Sequence, residues 1–194
     1  MARNKEFDTT LVLHKAMEIF GHYGYEGTSL KVLLEGLGIA RQSLYDTYGT
    51  KRDLFVKAVT HYTNQKSCAV ITYLEQADSV NKAIHDIFHE VAATLKDEQR
   101  RKECLILYSA IDQVPHDPEI ADLFEQDRVR LEQAIYDALV RAEHQGELRP
   151  GQDLHTLARY LYYARYGLIQ VSKLTSDPKV LDEIVTVTLS AIDK

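Results

Sequence analysis

Leu37-Gly38-Ile39-Ala40-Arg41-Gln42-Ser43-Leu44-Tyr45-Asp46-Thr47-Tyr48-Gly49-Thr50-Lys51 is the stretch on which the reading of this chain turns. Gly38 ends the segment before it and Gly49 ends the next one, so Arg41 to Tyr48 predicts a helix of about two turns. Within it only Leu44 and Tyr48, four apart, suit an inner face, which leaves Arg41, Gln42, Ser43, Tyr45 and Thr47 on the other faces. Just upstream, Thr28 or Ser29 can cap a short helix whose stripe is Leu30, Leu33, Leu34 and Leu37. Two short helices joined by a tight glycine-containing turn make a helix-turn-helix, and the second helix of that motif is narrow enough for the DNA major groove. Its polar edge has suitable chemistry. Arginine matches guanine O6 and N7, glutamine matches adenine N6 and N7, and serine or tyrosine hydroxyls bond phosphates or bases.

Working outward, the chain predicts helices throughout and no succession of short alternating strands. Asp8 to Tyr23 places Leu11, Val12, Ala16, Ile19, Phe20 and Tyr23 on one face, with Asp8 or Thr9 as cap and Gly24 beyond the end. Thr50 caps a longer helix from Lys51 toward Gln76. Further helices are expected over Val80 to Leu95 and Arg101 to Ile111, linked by the polar run Lys96 to Arg100. Asp117-Pro118 and Asp177-Pro178 each read as a cap followed by proline at the first helical position, starting helices toward His144 and Ile192. Between them, Asp153 caps a helix to Lys173. Val185 to Leu189 alternates like a strand, but the Val180, Ile184, Val187 and Ala191 spacing favours helix.

Composition sets the frame. With 194 residues, 45% of them apolar and 27% charged, the chain has the profile of a soluble globular protein of one large or two small domains. No uncharged apolar run reaches the roughly 18 residues of a membrane helix, and Met1 to Glu6 lacks a secretory apolar segment, so a cytoplasmic, membrane-free protein is expected. Cys68 and Cys104 form no CxxC pair and offer no disulfide framework or zinc ribbon. The net charge of −6 disfavours nucleic acid at first sight. Residues 1–60, however, carry eight Lys and Arg against seven Asp and Glu, a net of +1 that leaves −7 for the remainder. An acidic body with a near-neutral head, basic from Arg41 to Lys57, accommodates a small DNA-reading module.

The ordered run Gly24-Tyr25-Glu26-Gly27-Thr28-Ser29, followed by Leu37 to Phe55, resembles the N-terminal motif of TetR-family transcriptional regulators. The resemblance is strong from about Leu11 to Phe55, and the rest fits the family only in its layout. It implies an all-α protein of about nine helices, with a helix-turn-helix DNA-binding domain over residues 1–55 and a helical ligand-binding and dimerisation domain over residues 56–194. Position by position, it implies that Arg41, Gln42 and Ser43 contact bases and that Tyr45 touches the DNA backbone and sometimes a base. Thr28, Ser29 and Lys51 would meet phosphates. Thr47 stands where the family often has histidine, and Ala40 stands where a capping Ser or Thr is common, which removes roughly 1 kcal/mol of capping.

The same resemblance implies a homodimer through the last two helices, a double-stranded operator with pseudo-twofold symmetry, and release by an unidentified small-molecule effector. Leu157, Leu161, Ala164, Leu168 and Val171, with Val180, Ile184, Val187 and Ala191, recur at helical spacing and are the expected interface, or else face the protomer's own core. Phe88, Cys104, Tyr108, Tyr136, Tyr162 and Tyr166 either line an effector pocket or pack as plain core, and Cys104 is either a sensor or an inert buried thiol. No cofactor is implied. Enzyme signatures such as G-x-S-x-G, a Walker A loop and G-x-G-x-x-G are missing. One competing reading stays open: His85 and His89, four apart on one helix, suit a metal-sensing regulator or a helical metal-dependent phosphohydrolase.

Overall fold

The computed structural model describes residues 8–193, with residue 103 described by its backbone alone. The Met1 to Glu6 reading lies outside the described residues. Ten helical segments occur among them, and no strand. The amino-terminal helices are α1 (Thr9–Tyr23), α2 (Leu30–Leu37), α3 (Arg41–Tyr48) and α4 (Lys51–Gln76), followed by α5 (Val80–Lys96), α6 (Arg101–Cys104) and α7 (Ile106–Gln113). The remaining three are α8 (Pro118–His144), α9 (Leu154–Leu174) and α10 (Pro178–Leu189). Asp8, Ser29, Asp153 and Asp177 cap as the sequence offers, each accepting backbone N–H groups from the first turn of its helix, and Ser79, not singled out by the sequence, does the same for α5.

Two compact units emerge from the packing. One takes the described residues up to Thr63 together with Lys102–Ala121; the other takes Asn64–Arg101 and the residues from Asp122 onward. In the first, Phe20, Tyr25 and Phe55 stack around one centre, with Phe20 and Phe55 edge to face at 5.0 Å and Tyr25 at 4.7 Å from Phe55. Met17, Leu33, Leu37, Leu44 and Leu54 complete the core.

This unit includes α6 and α7 because α7 docks on the end of α1. A side chain at Gly21 would meet the backbone of Leu105 and Ile106 at 2.9 Å, so only glycine admits this approach. Beside it, the Ser109 hydroxyl donates to the Phe20 carbonyl at 2.6 Å. The single helix expected over Arg101 to Ile111 therefore breaks at Leu105, where the N–H groups of Leu105 and Tyr108 bond three residues back instead of four.

In the second unit α5, α9 and α10 pack on one another around Val80, Ile84, Phe88, Leu157, Leu161, Leu168, Val185 and Leu189. The alternating Val185 to Leu189 segment is helical, and α10 ends at Leu189, three residues short of the expected Ile192.

Candidate nucleic-acid interface

Positive φ is needed at the turn between α2 and α3. Gly38 is left-handed (φ 69°, ψ 29°) and its N–H caps α2 by donating to Leu34 O at 3.0 Å. From there α3 leaves with Leu44 and Tyr48 buried, and the Tyr48 hydroxyl donates to the Thr9 carbonyl at 3.0 Å. Lys57 donates to the Tyr48 carbonyl at 2.9 Å, so the C-terminal end of α3 is tied to both α1 and α4. The start of α3 is not: Ala40 makes no side-chain capping bond, which leaves the first-turn N–H groups unmet by protein side chains.

The opposite edge of α3 is open. Arg41, Gln42, Tyr45, Asp46 and Thr47 are exposed and Ser43 is half-buried. The Arg41 guanidinium lies 5.6 Å from the centroid of the Tyr45 ring, and Gln42 Nε2 donates to Asp46 Oδ1 at 2.7 Å. That i,i+4 pair holds the Gln42 amide against its own helix, a partner the spacing alone could have revealed. Ser29 is exposed at the N-terminus of α2, where its hydroxyl accepts from Val32 N at 3.2 Å.

Thr28 departs from the expected set. It is fully buried, and its hydroxyl donates to Gly24 O at 2.6 Å, so its side chain braces the α1–α2 turn and presents nothing to a phosphate. Lys51 is half-buried, with its ammonium donating to Tyr25 O at 2.7 Å and lying 4.3 Å from the Tyr25 ring centroid.

The start of α4 is built as a reciprocal box. Asp53 Oδ2 accepts from Thr50 N at 2.8 Å, while Asp53 N donates to Thr50 Oγ1 at 3.2 Å. The Thr50 backbone and hydroxyl hold the Asp53 carboxyl below the usual aspartate range. Next to it Arg52 bonds both oxygens of Asp117 at 2.7 Å and reaches Glu119 at 3.0 Å, which also holds the Asp117 carboxyl low. Nothing in the residue pattern singled out Arg52, because its partners lie 65 and 67 positions away.

Elsewhere the expected residues separate. On α9 and α10, Leu157, Leu161 and Leu168 are buried within their own unit, which takes them off any face a second copy could cover. Ala164, Val171, Val180, Ile184 and Ala191 are half-buried, and Val187 is 67% exposed. The open face instead carries Tyr160, Tyr163 and Leu174, the last 84% exposed, and a side chain at Gly167 would meet nothing within 4 Å. Residues 160, 164, 167, 171 and 174 follow alternating steps of four and three, a seam signal the sequence did contain.

Of the six expected pocket residues, Tyr162 and Tyr166 come together, their rings 5.1 Å apart, and burial pushes both hydroxyls up. Tyr136 instead stacks on His155 at 3.9 Å, and Phe88 is buried in α5. Cys104 and Tyr108 are buried in the first unit. His85 bonds Asp193 at 2.8 Å through Nε2, and among the described residues no group of three or more His, Cys, Asp or Glu is placed to hold a metal ion.

A helix-turn-helix with an open second helix, in an all-α chain, defines a class of regulatory protein. Similarity to known proteins agrees: residues 12–58 match the family model of bacterial regulatory proteins of the TetR family, and residues 54–188 match that of a tetracyclin repressor-like C-terminal domain. The chain belongs to the TetR family of bacterial transcriptional regulators. It is 55% identical over 194 residues, the whole of both chains, to the uncharacterized HTH-type transcriptional regulator YezE of Bacillus subtilis (strain 168). The HTH-type transcriptional repressor ComR of Escherichia coli (strain K12) is 26% identical over 188 residues, 96% of this chain and 90% of its own. Among solved structures, a cysteine-substituted CifR, a TetR-family regulator complexed with 26-bp double-strand operator DNA, matches with a TM-score of 0.84 at 26% identity. That match covers 98% of this chain and all of the other.

Proposed function

We propose that this chain is a cytoplasmic transcriptional repressor that binds double-stranded operator DNA as a homodimer and is released by a small-molecule effector. The observation that carries the reading is the open edge of α3, where Arg41, Gln42, Tyr45 and Thr47 stand exposed while Leu44 and Tyr48 anchor the helix from behind. Arg41 reads guanine, and Gln42 reads adenine after exchanging its bond to Asp46. Ser43, Tyr45 and Thr47 bond bases or backbone. Ser29 and Lys51, at the N-termini of α2 and α4, meet phosphates where the helix dipole adds attraction. The first-turn N–H groups of α3, uncapped at Ala40, are further donors. CifR's complex with operator DNA and the description of ComR as a repressor support the same reading.

Residues 1–55 act as the DNA-binding part and residues 56–194 as the ligand-binding and dimerisation part. Dimerisation uses the open face of α9 and α10, namely Tyr160, Tyr163, Gly167, Leu174 and Val187 with the half-buried Ala164, Val171, Val180, Ile184 and Ala191. Two heads about 34 Å apart then read successive major grooves. An effector releases the operator only in so far as it binds a different head spacing more tightly. Among the described residues no helix is long and apolar enough to cross a membrane.

Selection of bound duplexes from a random pool tests this reading. The selected sites are expected to be pseudo-palindromic, with affinity falling steeply as salt rises. A pure chain that ignores every duplex in dilute salt overturns it.

A further inference from the structure

Arg165 stands where α9 asks for an apolar side chain. Its neighbours one turn away on either side are Leu161, Tyr162, Leu168 and Ile169, none more than 5% exposed. The Arg165 Nε is buried without a hydrogen-bond partner, and its guanidinium carbon lies 5.1 Å from the centroid of the Tyr166 ring. Among the described residues no carboxylate pairs with it. Asp127, itself 3% exposed, is already engaged: Oδ2 accepts from the Tyr166 hydroxyl at 3.1 Å and Oδ1 from Arg130 Nη2 at 3.2 Å. Arg130 is held in turn by Asn64 Oδ1 at 3.2 Å. Arg130 thus balances Asp127, and Arg165 is left as a surplus cation. Arg165 as a whole is half-buried, so the cost falls on its inward Nε, a donor left without an acceptor, of the kind retained at functional sites.

The surroundings indicate the shape of the missing partner. The Tyr166 ring beside this cation is itself flanked by two more aromatic rings, Tyr162 at 5.1 Å and Phe124 at 6.2 Å. The guanidinium fork matches a carboxylate bidentately, and the rings offer apolar cover for whatever carries it. We propose that Arg165 anchors the carboxylate of a small organic acid whose apolar or aromatic body lies against Phe124, Tyr162 and Tyr166. A monocarboxylate balances the single spare charge, whereas a phosphate monoester would bring a second negative charge close to Asp127. This assignment rests on the effector reading above and gives that effector a chemical class.

The test is calorimetric titration of the full chain with benzoate, phenylacetate and hexanoate, each beside its neutral amide, and with phenyl phosphate. At least one acid is expected to bind, its amide about tenfold or more weakly, and R165M is expected to abolish the binding. R165K, which keeps the charge but not the fork, is expected to weaken it about tenfold, and it carries the comparison should R165M fail to fold. The proposal is overturned if none of the three acids binds, if amides bind equally, if R165M binds like the parent, or if only phenyl phosphate binds. Operator release, followed separately by fluorescence anisotropy, judges the effector reading: an acid bound through Arg165 that leaves the operator complex intact upholds the site and sinks that reading.

Discussion

Helices α3 and α9 both show themselves in the sequence through apolar spacing, yet only one of them has a single possible inner face. In α3 the apolar candidates reduce to Leu44 and Tyr48, both buried, and everything polar falls on the other side. α9 is apolar nearly all round. Its Leu157, Leu161 and Leu168 stripe fills the core of its own unit, while Tyr160, Tyr163 and Leu174 stay outside. A two-turn helix with two anchors leaves no choice of register against the core. A helix of 21 residues with two apolar stripes leaves that choice to its neighbours.

The sharpest way to break that contrast is to alter each stripe of α9, the outer one together with its neighbour on α10. Leu168→Ala is expected to cost about 2–5 kcal/mol of unfolding free energy in urea titrations, since the residue is fully buried. A Leu174→Glu, Val187→Glu pair is expected to leave the protomer folded and move it from dimer to monomer in sedimentation velocity. Equal loss of stability from both stripes would erase the inner and outer assignment.

Next in size is the reading edge of α3. Arg41→Ala is expected to lose about 1–3 kcal/mol of operator affinity and to relax preference at one base pair. Unchanged discrimination across all single-base operator variants would remove Arg41 from the readout.

Ala40→Ser is smaller and opposite in sign, adding a cap to α3 and roughly 1 kcal/mol of stability. A chemical denaturation midpoint that fails to rise would mean that the first turn of α3 is not limited by its cap.

The smallest effect is acid sensitivity of the helix starts. Asp53 and Asp117 sit below the ordinary aspartate value of 3.8, Asp53 through the Thr50 box and Asp117 through Arg52. Their stabilisation is therefore complete above that value and fades as pH falls through the lower, folded-state value. A double Asp53→Asn, Asp117→Asn variant is expected to flatten the fall of thermal stability below about pH 4; an unchanged acid limb would discount both groups.

Much of the molecule is legible in the sequence because its signals are local. Asp8, Ser29, Asp153 and Asp177 cap where their side chains can reach N–H groups two or three residues on, and Gly38 supplies a positive φ that other residues rarely adopt. The misplacements have one cause. Thr28 bonds a carbonyl four residues back instead of facing outward, and Leu105 interrupts a helix because Gly21, far away in sequence, lets α1 press on its backbone. Each depends on what lies across the packing interface.

The order of the helices and most of their starts, and the helix-turn-helix with its polar edge, were set by the sequence alone, because caps, glycine turns and short-range spacing act within a few residues. Tertiary structure decided which stripe of α9 faces inward, that Arg52 joins Asp117, and that Arg165 buries its Nε without a partner. Burial and pairing are properties of surfaces brought together from distant parts of the chain, and no local pattern can state them.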